Sequence, residues 1–443
     1  MRLGRLEGWV VVATLAILVL VNVPVLGADP WPFEPGSISA SGPLGWVVDA
    51  VGEEWDPEAL RAAALLGGLA IVALTAVQLL ALRWSPRPLG GLALVVLALL
   101  LVPAVVLQVG LRDSTDPWFF TNDATFEIEL AGDVLQDGEN PYGHDYRGTG
   151  LERFYSLDGS LEDDAAPERP ALQHFLYFPG PALSAGLWSA LPDPWDDYRF
   201  VVLLATLACF GAVLLFRAPL HWRLAAAAVA AGNPLAVRAA WFGNADATSL
   251  VFLLLAFAFV TRARFLWAGA MLGGAIVFKQ FALLAVPFLA LMVWQLAGRR
   301  ETLRAGAACA AVLAAGFLPF LVWDPGAFVA DTLPAGDDAY RIVGPGLSSL
   351  LVESGVIDSR TSGYPFLLVA LLVWLPLTAW LLWKQAQAGL LWVGAAGFAL
   401  SIFVFIFVSR VFQPSFLVWP LVGLLVAFLL AAAERERPPP SRA

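Results

Sequence analysis

Apolar runs close to the length of a membrane-spanning helix recur from one end of this 443-residue chain to the other. The hydrocarbon core of a bilayer takes roughly 20 apolar residues in helical form. Hydrophobic residues make up 59% of the chain and charged residues 14%, whereas a soluble domain has about 25% charged residues. This excludes an ordinary soluble enzyme and a disordered chain. It predicts an all-α polytopic membrane protein with a single integral membrane domain over residues 1–443.

The runs predict 12 transmembrane helices, within a range of 11–13. They lie at residues 9–26, 60–82, 89–111, 198–216, 223–241, 246–261, 265–278, 281–296, 303–323, 366–383, 388–408 and 413–432. A shorter run at 175–191 contains Pro179, Gly180 and Pro181, and we predict a re-entrant or interfacial helix there. The first run follows Arg2 and Arg5 and resembles a signal peptide, which we expect to stay uncleaved.

The basic residues predict how the chain crosses the membrane. Loops on the cytoplasmic side carry an excess of Lys and Arg. With the N-terminus in the cytoplasm, the inner loops and termini hold 15 Lys and Arg residues against 4 acidic residues. If 175–191 crossed the membrane, most later basic loops would face out. We therefore expect both termini in the cytoplasm of a cell-membrane protein, and two large outer loops at 112–197 and 324–365.

Apolar residues at helical spacing predict a helix in each outer loop. In the first loop the helix opens near Asp123, with Asn122 or Thr121 as its cap. In the second loop a short helix has its apolar residues at Leu347, Leu350, Leu351 and Ile357.

Polar side chains gather at the outer ends of the predicted helices. They are Asp123, Tyr177, Arg238, Asn244, Asp246, Lys279, Gln280, Arg410 and Gln413. Ionisable groups at membrane depth are costly and are usually functional, so this set predicts an outward-facing polar cavity. Lys279 stands out because Lys384 is the only other lysine, and because it lies at the tip of a predicted hairpin between two apolar runs.

Several of these residues also have a plainer interpretation. Arg238 and Arg410 could be interfacial arginines whose heads reach the lipid headgroups. Residues 244–246 could form an ordinary polar turn, and Asp123 is one of many acids in an acidic loop.

Several function classes find no support in the sequence. Cys209 and Cys309 lie inside apolar runs, and the three histidines, His144, His174 and His221, lack metal-ligand spacing. A net charge of -10 argues against nucleic-acid binding. The chain has no Walker loop, glycine-rich dinucleotide motif or serine-nucleophile elbow.

Four segments, in chain order, resemble GT-C superfamily glycosyltransferases, which use polyprenyl- or dolichyl-phosphate sugars. Asp123, followed by the motif at 138–142 that ends in Asn-Pro-Tyr, is similar to the start of their first large outer loop. Residues 177–181 resemble their Tyr-Pro-Pro element, although Gly180 separates the prolines. Asn-Pro at 233–234 with Gly-Asn-Ala-Asp at 243–246 resembles polyprenol-phosphate-mannose-dependent mannosyltransferases and the GPI mannosyltransferase. Phe-Lys-Gln-Phe at 278–281 resembles their lysine-containing segment.

The resemblance implies an inverting transferase that moves a mannose-like hexose from a lipid phosphate to a glycan, glycolipid or protein acceptor on the outer face. Asp123 would be the base for the acceptor hydroxyl. The donor phosphate would be held by Lys279, Gln280, Arg410 and Arg341. The substrates would be contacted by Tyr142, Tyr177, Arg238, Asn244, Asp246 and Gln413. No cofactor is required; if a divalent metal is used, the candidate ligands are Asp116, Asp163 and Asp164. The lipid bilayer, and no nucleic acid, would be a further partner.

Two other classes stay open. A lipid-linked glycan ligase or polymerase also has many spans and a large outer loop, and its site would centre on arginines and a loop histidine, His144 or His174. A transporter or flippase of a lipid-linked saccharide would show repeat symmetry and broken helices near the midplane. No repeat is evident here, and the unusual polar groups cluster outward.

Overall fold

The computed structural model describes residues 5–26, 37–38, 42–46, 66–68, 70–71, 73–74, 77, 86–116, 122–154, 172–332 and 342–435. Nearly all of this part is helical. Its principal α-helices are α1 (Arg5–Leu26), α2 (Pro86–Ser114), α3 (Asp123–Gln136), α4 (Pro179–Trp188), α5 (Arg199–Leu214), α6 (Leu220–Gly232), α7 (Pro234–Phe242), α8 (Asp246–Thr261), α9 (Phe265–Phe278), α10 (Val286–Trp323), α11 (Pro325–Thr332), α12 (Leu347–Glu353), α13 (Phe366–Val369), α14 (Leu375–Ala388), α15 (Leu391–Val408) and α16 (Val418–Arg435).

Short elements complete the described part. Short 3₁₀ helices lie at Leu151–Phe154, Gln280–Ala285 and Pro414–Leu417, and a π-helical turn at Ala370–Trp374 joins α13 to α14. Two strands of two residues each, β1 (Ser37–Ile38) and β2 (Thr115–Asp116), pair antiparallel. The predicted helical class is confirmed.

Five helical stretches are long and apolar enough to cross a membrane: Leu89–Ser114, Gln280–Trp323, Phe366–Ala388, Leu391–Val408 and Pro414–Arg435. Four shorter apolar helices cover Glu7–Val23, Arg199–Leu214, Asp246–Thr261 and Phe265–Phe278. Large apolar side chains such as Leu318, Val322 and Leu372 are exposed, which suits a surface facing lipid. The chain is a membrane protein. The number of 12 crossings and the cytoplasmic termini stay predictions, and most of the predicted span 60–82 lies outside the described residues.

The shorter predicted helices can be compared directly. The run at 175–191 contains α4, whose 10 residues reach only about 15 Å, half the hydrocarbon thickness, as expected for a helix that does not cross. The helix predicted to open near Asp123 is α3. The helix predicted around Leu347 and Leu350 is α12, although Ile357 lies beyond its end.

The described residues divide into two compact units. Unit one comprises Met1–Glu129 and Leu187–Val251, and unit two comprises Leu130–Gly186 and Phe252–Ala443. In unit one, α6 packs against α1, α2 and α5. In unit two, α9 packs against α10, and α15 packs against α14 and α16. The single domain expected from the sequence stays a prediction.

One predicted span, 223–241, is interrupted: it consists of α6 and α7. Pro234 has no N–H to continue α6, and the Asn233 side chain caps α7 by accepting from Ala236 N at 3.0 Å. The Gly232 carbonyl loses its helical donor and accepts instead from Asn22 Nδ2 of α1 at 2.7 Å. The Asn-Pro pair thus makes a helix junction that the apolar pattern concealed.

The hairpin predicted around Lys279 has its interruption where expected. Helix α9 ends at Phe278, Lys279 is extended (φ -154°, ψ 130°), and a 3₁₀ turn follows. Helix α10 is itself broken at Gly298, where φ is 76° and ψ is -175°. This break separates the two runs predicted at 281–296 and 303–323.

Candidate functional site

Asn122 caps the helix that carries the predicted base in unit one. Its Oδ1 accepts from the backbone N–H of Thr125 at 2.8 Å and from the Thr125 hydroxyl at 2.9 Å. This satisfies a donor of the first helical turn. Asp123 follows, partly exposed, and its Oδ1 accepts from Ala124 N at 2.8 Å. The positive end of the helix dipole favours a negative side chain here, and an ionised carboxylate is the form that a base requires.

A glycine turn brings Asn244 to the same helix start. Gly243 has a φ of 84°, and a Cβ there would lie 2.7 Å from Thr125 Cγ2, so glycine is the residue that fits. The turn lets Asn122 Nδ2 donate to Phe242 O at 2.9 Å and to Asn244 Oδ1 at 2.8 Å. Asp123 and Asn244, predicted as one site, therefore meet through Asn122.

The other two predicted residues of unit one differ in exposure. Asp246 begins α8 and is 3% exposed. Arg238 is exposed, and its guanidinium stacks on the ring of Phe242, one helical turn further on, at 5.1 Å. This geometry suits the interfacial arginine as well as it suits a substrate contact.

A buried network of alternating charges, missed from the sequence, holds α3 in place. Arg112 Nη1 lies 2.7 Å from Glu129 Oε2 and 3.0 Å from Asp197 Oδ2, and Asp197 also pairs with Arg199 at 2.6 Å. Burial acts to raise the pKa of Asp197, but Arg199 and Arg112 outweigh it and lower the pKa. The available signal was a charged residue at the end of each of two apolar runs.

In unit two, the ammonium of Lys279 lies among three aromatic rings. Its Nζ is 5.2 Å from the ring centre of Tyr177, 5.8 Å from that of Phe416 and 6.0 Å from that of Phe281. The residue is 9% exposed. We call these four residues the lysine–aromatic cluster. Ring faces attract a cation through the ring quadrupole, so these three contacts stabilise an ammonium at this position.

Three other predicted phosphate or substrate residues lie in unit two. Gln280 follows the lysine, and its buried Oε1 has no hydrogen-bond partner among the described residues. Arg410 is 8% exposed, and its backbone oxygen accepts from Val343 N at 3.3 Å. Gln413 is exposed and immediately precedes the 3₁₀ turn that carries Phe416, so it lies on a segment that reaches the lysine–aromatic cluster.

The two predicted tyrosines have different roles. Tyr177 presents its ring to Lys279, as described. Tyr142 is 3% exposed, and its hydroxyl donates to the backbone oxygen of Tyr177 at 3.0 Å. Its ring packs edge-on against Phe320 and Phe328, and burial raises its pKa. Tyr142 thus holds the Tyr177 segment, and its predicted contact with the substrate stays a prediction.

The remaining predicted residues concern the phosphate and a metal. Arg341, Asp163 and Asp164 lie outside the described residues. Asp116 belongs to β2, opposite Ser37. Among the described residues, no three His, Cys, Asp or Glu side chains group as metal ligands. The expectation that no cofactor is required stays a prediction.

The predicted site thus forms two local groups, one in each unit. Asp123, Asn244 and Asp246 belong to unit one, and Lys279, Gln280, Arg410 and Tyr177 belong to unit two. That the two groups share one cavity stays a prediction.

Comparisons with known proteins give one similarity. No protein-family model matches the chain, and no curated protein matches it. Among solved structures, the chain is similar to ArnT from Cupriavidus metallidurans bound to undecaprenyl phosphate, with 17% sequence identity and a TM-score of 0.46. The similarity covers 80% of this chain and 61% of the ArnT chain, so the chain spans less than two thirds of that protein's length.

Proposed function

We propose that this protein is a GT-C-type membrane glycosyltransferase that moves a sugar from a polyprenyl- or dolichyl-phosphate donor to an acceptor hydroxyl. The observation that carries the proposal is the lysine–aromatic cluster. A lysine that is 9% exposed, at a helix break between apolar helices, is costly at membrane depth. An anionic lipid headgroup explains why the chain keeps a cation there, and the sequence resemblance supplies the sugar.

The proposed donor site follows from the charge change in the reaction. A lipid phosphate leaves from C1 of the sugar and gains negative charge as the bond breaks. Lys279 and Arg410, both nearly buried, would stabilise this charge, because electrostatic contacts are strong where water is excluded. The amide N–H of Gln280 would donate to the phosphate while its buried oxygen accepts from a sugar hydroxyl, and Arg341 would add a cation.

The proposed acceptor chemistry rests on Asp123. One attack at C1 inverts the sugar's configuration and needs one base within hydrogen-bond reach of the acceptor hydroxyl. Asp123 is partly exposed at the start of α3, and Asn122 fixes that start against Asn244. The proposed substrate contacts around the donor phosphate site and the base are Asn244, Asp246, Arg238, Tyr177 and Gln413.

The finer assignments rest on the motif resemblance. A mannose-like hexose is the proposed sugar, and a glycan, glycolipid or protein on the outer face of the cell membrane is the proposed acceptor. The lipid tail would remain in the bilayer, and both termini would lie in the cytoplasm.

The test is a donor panel. Purified protein in lipid nanodiscs is incubated with polyprenyl phosphates that carry labelled mannose, glucose, galactose or arabinose, with and without a glycan acceptor. We expect label to leave the lipid for the acceptor with one sugar, and most strongly with mannose. Translocation of intact donor in sealed vesicles, with no transfer from any donor, would instead identify a flippase. Transfer that requires a lipid diphosphate donor would identify a ligase.

A further inference from the structure

A buried carboxylate in unit two gathers three donors from two separate chain segments. Asp331, at the end of α11, is 1% exposed. Its Oδ2 accepts from Gly143 N at 2.8 Å and from Phe175 N at 3.1 Å. Its Oδ1 lies 2.7 Å from Nδ1 of His174. Because a carboxylate oxygen is an acceptor, we assign the proton of the last contact to His174 Nδ1.

The side chain of His174 is partly accessible to solvent. It is 41% exposed, and Asp331 is its only polar partner among the described residues. With Nδ1 donating to a carboxylate, the ring is fixed in orientation, and Nε2 is the ring nitrogen that remains to bind a further group. Such an orienting carboxylate is the arrangement by which proteins aim a histidine at a ligand.

The other loop histidine, His144, has no comparable buried carboxylate partner in the described part of the chain. His144 Nδ1 lies 3.8 Å from Glu139 Oε2, and that glutamate side chain is 65% exposed. A solvent-exposed partner at that distance fixes the ring weakly. Of these two loop histidines, His174 is therefore the one whose imidazole is anchored by a buried carboxylate.

His174 is close in sequence to Tyr177, a member of the lysine–aromatic cluster. Tyr177, whose ring faces the Lys279 ammonium, is three residues after His174, so their Cα atoms are at most about 10 Å apart. The ring of Phe175, which is 0% exposed, lies 5.6 Å from that of Tyr177, so buried aromatic packing fixes the segment between His174 and Tyr177. A ligand whose phosphate is held by Lys279 would extend its sugar along this segment.

The chemistry of Nε2 selects the ligand group. A neutral imidazole accepts a hydrogen bond at Nε2, and an imidazolium donates one there. A hydroxyl can pair with either form, whereas a phosphate or carboxylate pairs only with the imidazolium. We infer that His174, oriented by Asp331, binds a hydroxyl of the carbohydrate substrate, an inference that rests on the proposed function.

The hydroxyl could belong to the donor sugar or to the acceptor glycan, and histidine modification separates the two sources. The full-length protein is treated with diethylpyrocarbonate, and modification of each of its three histidines is followed by mass spectrometry. His144 is the internal control. We expect bound carbohydrate to slow modification of His174 several-fold, while His144 reacts as before.

The ligands of this experiment are chosen to identify the source. Protection by polyprenyl-phosphate mannose but not by the glycan assigns the hydroxyl to the donor sugar, and the reverse assigns it to the acceptor. Equal protection by polyprenyl phosphate without a sugar would overturn the inference, as would no protection while labelled donor is demonstrably bound. Absence of any donor binding would instead overturn the proposed function and this inference with it.

Kinetics supply a second readout. His174→Ala should raise KM for the assigned substrate about five- to tenfold, the worth of one hydrogen bond, with kcat close to that of the wild type. His174→Gln keeps a hydrogen-bonding group and should recover part of the loss. A collapse of kcat with unchanged KM would overturn the binding role and make His174 the group that takes the proton.

Discussion

Asn122 Nδ2 donates a hydrogen bond to Asn244 Oδ1 over 2.8 Å, between residues 122 positions apart. The same Asn122 caps α3, so the start of the helix that carries Asp123 is tied to the turn before α8. Asn122 thus joins two of the polar motifs identified in the sequence, the one that begins at Asp123 and the one at 243–246.

Removing this tie should affect activity more than stability. Asn122→Ala loses the cap, which should lower the free energy of unfolding by about 0.5–2 kcal/mol. It also releases the start of α3, which carries Asp123, from Asn244, and misplacing a reacting group can lower the rate on the order of 10²-fold. Thermal unfolding and transfer kinetics on the same preparation measure both effects.

A second capping residue provides the control. Asp324 Oδ1 accepts from Ala327 N at 2.9 Å at the start of α11, so Asp324→Ala removes a similar contact from a helix that does not carry Asp123. It should lose comparable stability and keep its transfer rate. Equal rates for Asn122→Ala and Asp324→Ala would remove the positioning role of Asn122.

Asp123→Asn should lower transfer by about 10²–10⁴, the usual contribution of a general base. The amide keeps the shape of the side chain and can still accept from Ala124 N, so expression and donor binding should persist. Asp246→Asn and Asp116→Asn are the comparison variants. A normal rate for Asp123→Asn with a collapse in one of the others would assign the base to that residue.

A glycine contact in unit two predicts a loss of stability. A Cβ on Gly180 would lie 2.8 Å from the ring of Phe278 and 2.9 Å from Val277 O, next to the helix break at Lys279. Gly180→Ala should therefore lower the free energy of unfolding by about 1–3 kcal/mol through overpacking. Gly211 lies inside α5 with no atom near its missing Cβ, and Gly211→Ala should raise stability slightly. The same sign for both substitutions would contradict the packing argument.

Local signals in the sequence were reliable because they depend on neighbouring residues. The cap at Asn122 and the break at Lys279 follow from side chains adjacent to the elements they end. The Asn-Pro pair at 233–234 also indicates a helix boundary within 223–241. This boundary was missed because the whole run is apolar and long enough for one span. A run long enough to span a membrane says nothing about a helix junction inside it.

Polar contacts between residues far apart in the sequence could not be predicted from the sequence. Asp331 meets His174 across 157 residues, and nothing near either residue marks the other. The loop holding Asp331 is rich in acids, so this carboxylate does not stand out. The network around Arg112 and Asp197 is similar, because its members come from separate segments and only their burial distinguishes them from surface charges.

The carboxyl pair Asp193 and Asp196 makes stability depend on pH. Burial and the hydrogen bond with Asp193 raise the pKa of Asp196 to about 6, whereas an unfolded aspartate titrates near about 3.9. The stabilising contribution of the protonated form is therefore complete below about pH 4 and is lost as pH rises through about 6. Asp196→Asn should abolish this loss, so its Tm relative to the wild type should increase between about pH 4.5 and about pH 7.

An exposed aspartate serves as the control for this pH series. Hydrogen bonds from Arg147 lower the pKa of Asp145 to about 2, so its contribution is lost only at still lower pH. Asp145→Asn should shift Tm by the same amount across the whole range. A Tm difference for Asp196→Asn that does not change with pH would contradict the assignment of the raised pKa to this residue.

Lys279 allows a matched comparison, because Lys384, the only other lysine in the chain, also stacks on aromatic rings, with Nζ 4.7 Å from the ring centre of Trp383. Lys384 is exposed, whereas Lys279 is buried. Each substitution to methionine removes one cation from an aromatic contact, so a difference in activity reports the position of the charge. Lys279→Arg keeps the charge and changes its geometry, and it should retain part of the activity.

The most direct measurement is the rate of sugar transfer from a polyprenyl-phosphate donor by Lys279→Met, with Lys384→Met beside it. We expect Lys279→Met to lose about 10²–10³ in kcat, the usual effect of removing a group that stabilises developing charge, while Lys384→Met transfers at the wild-type rate. A wild-type rate for Lys279→Met, in protein that inserts and folds normally, would contradict the proposal that this lysine holds the departing phosphate.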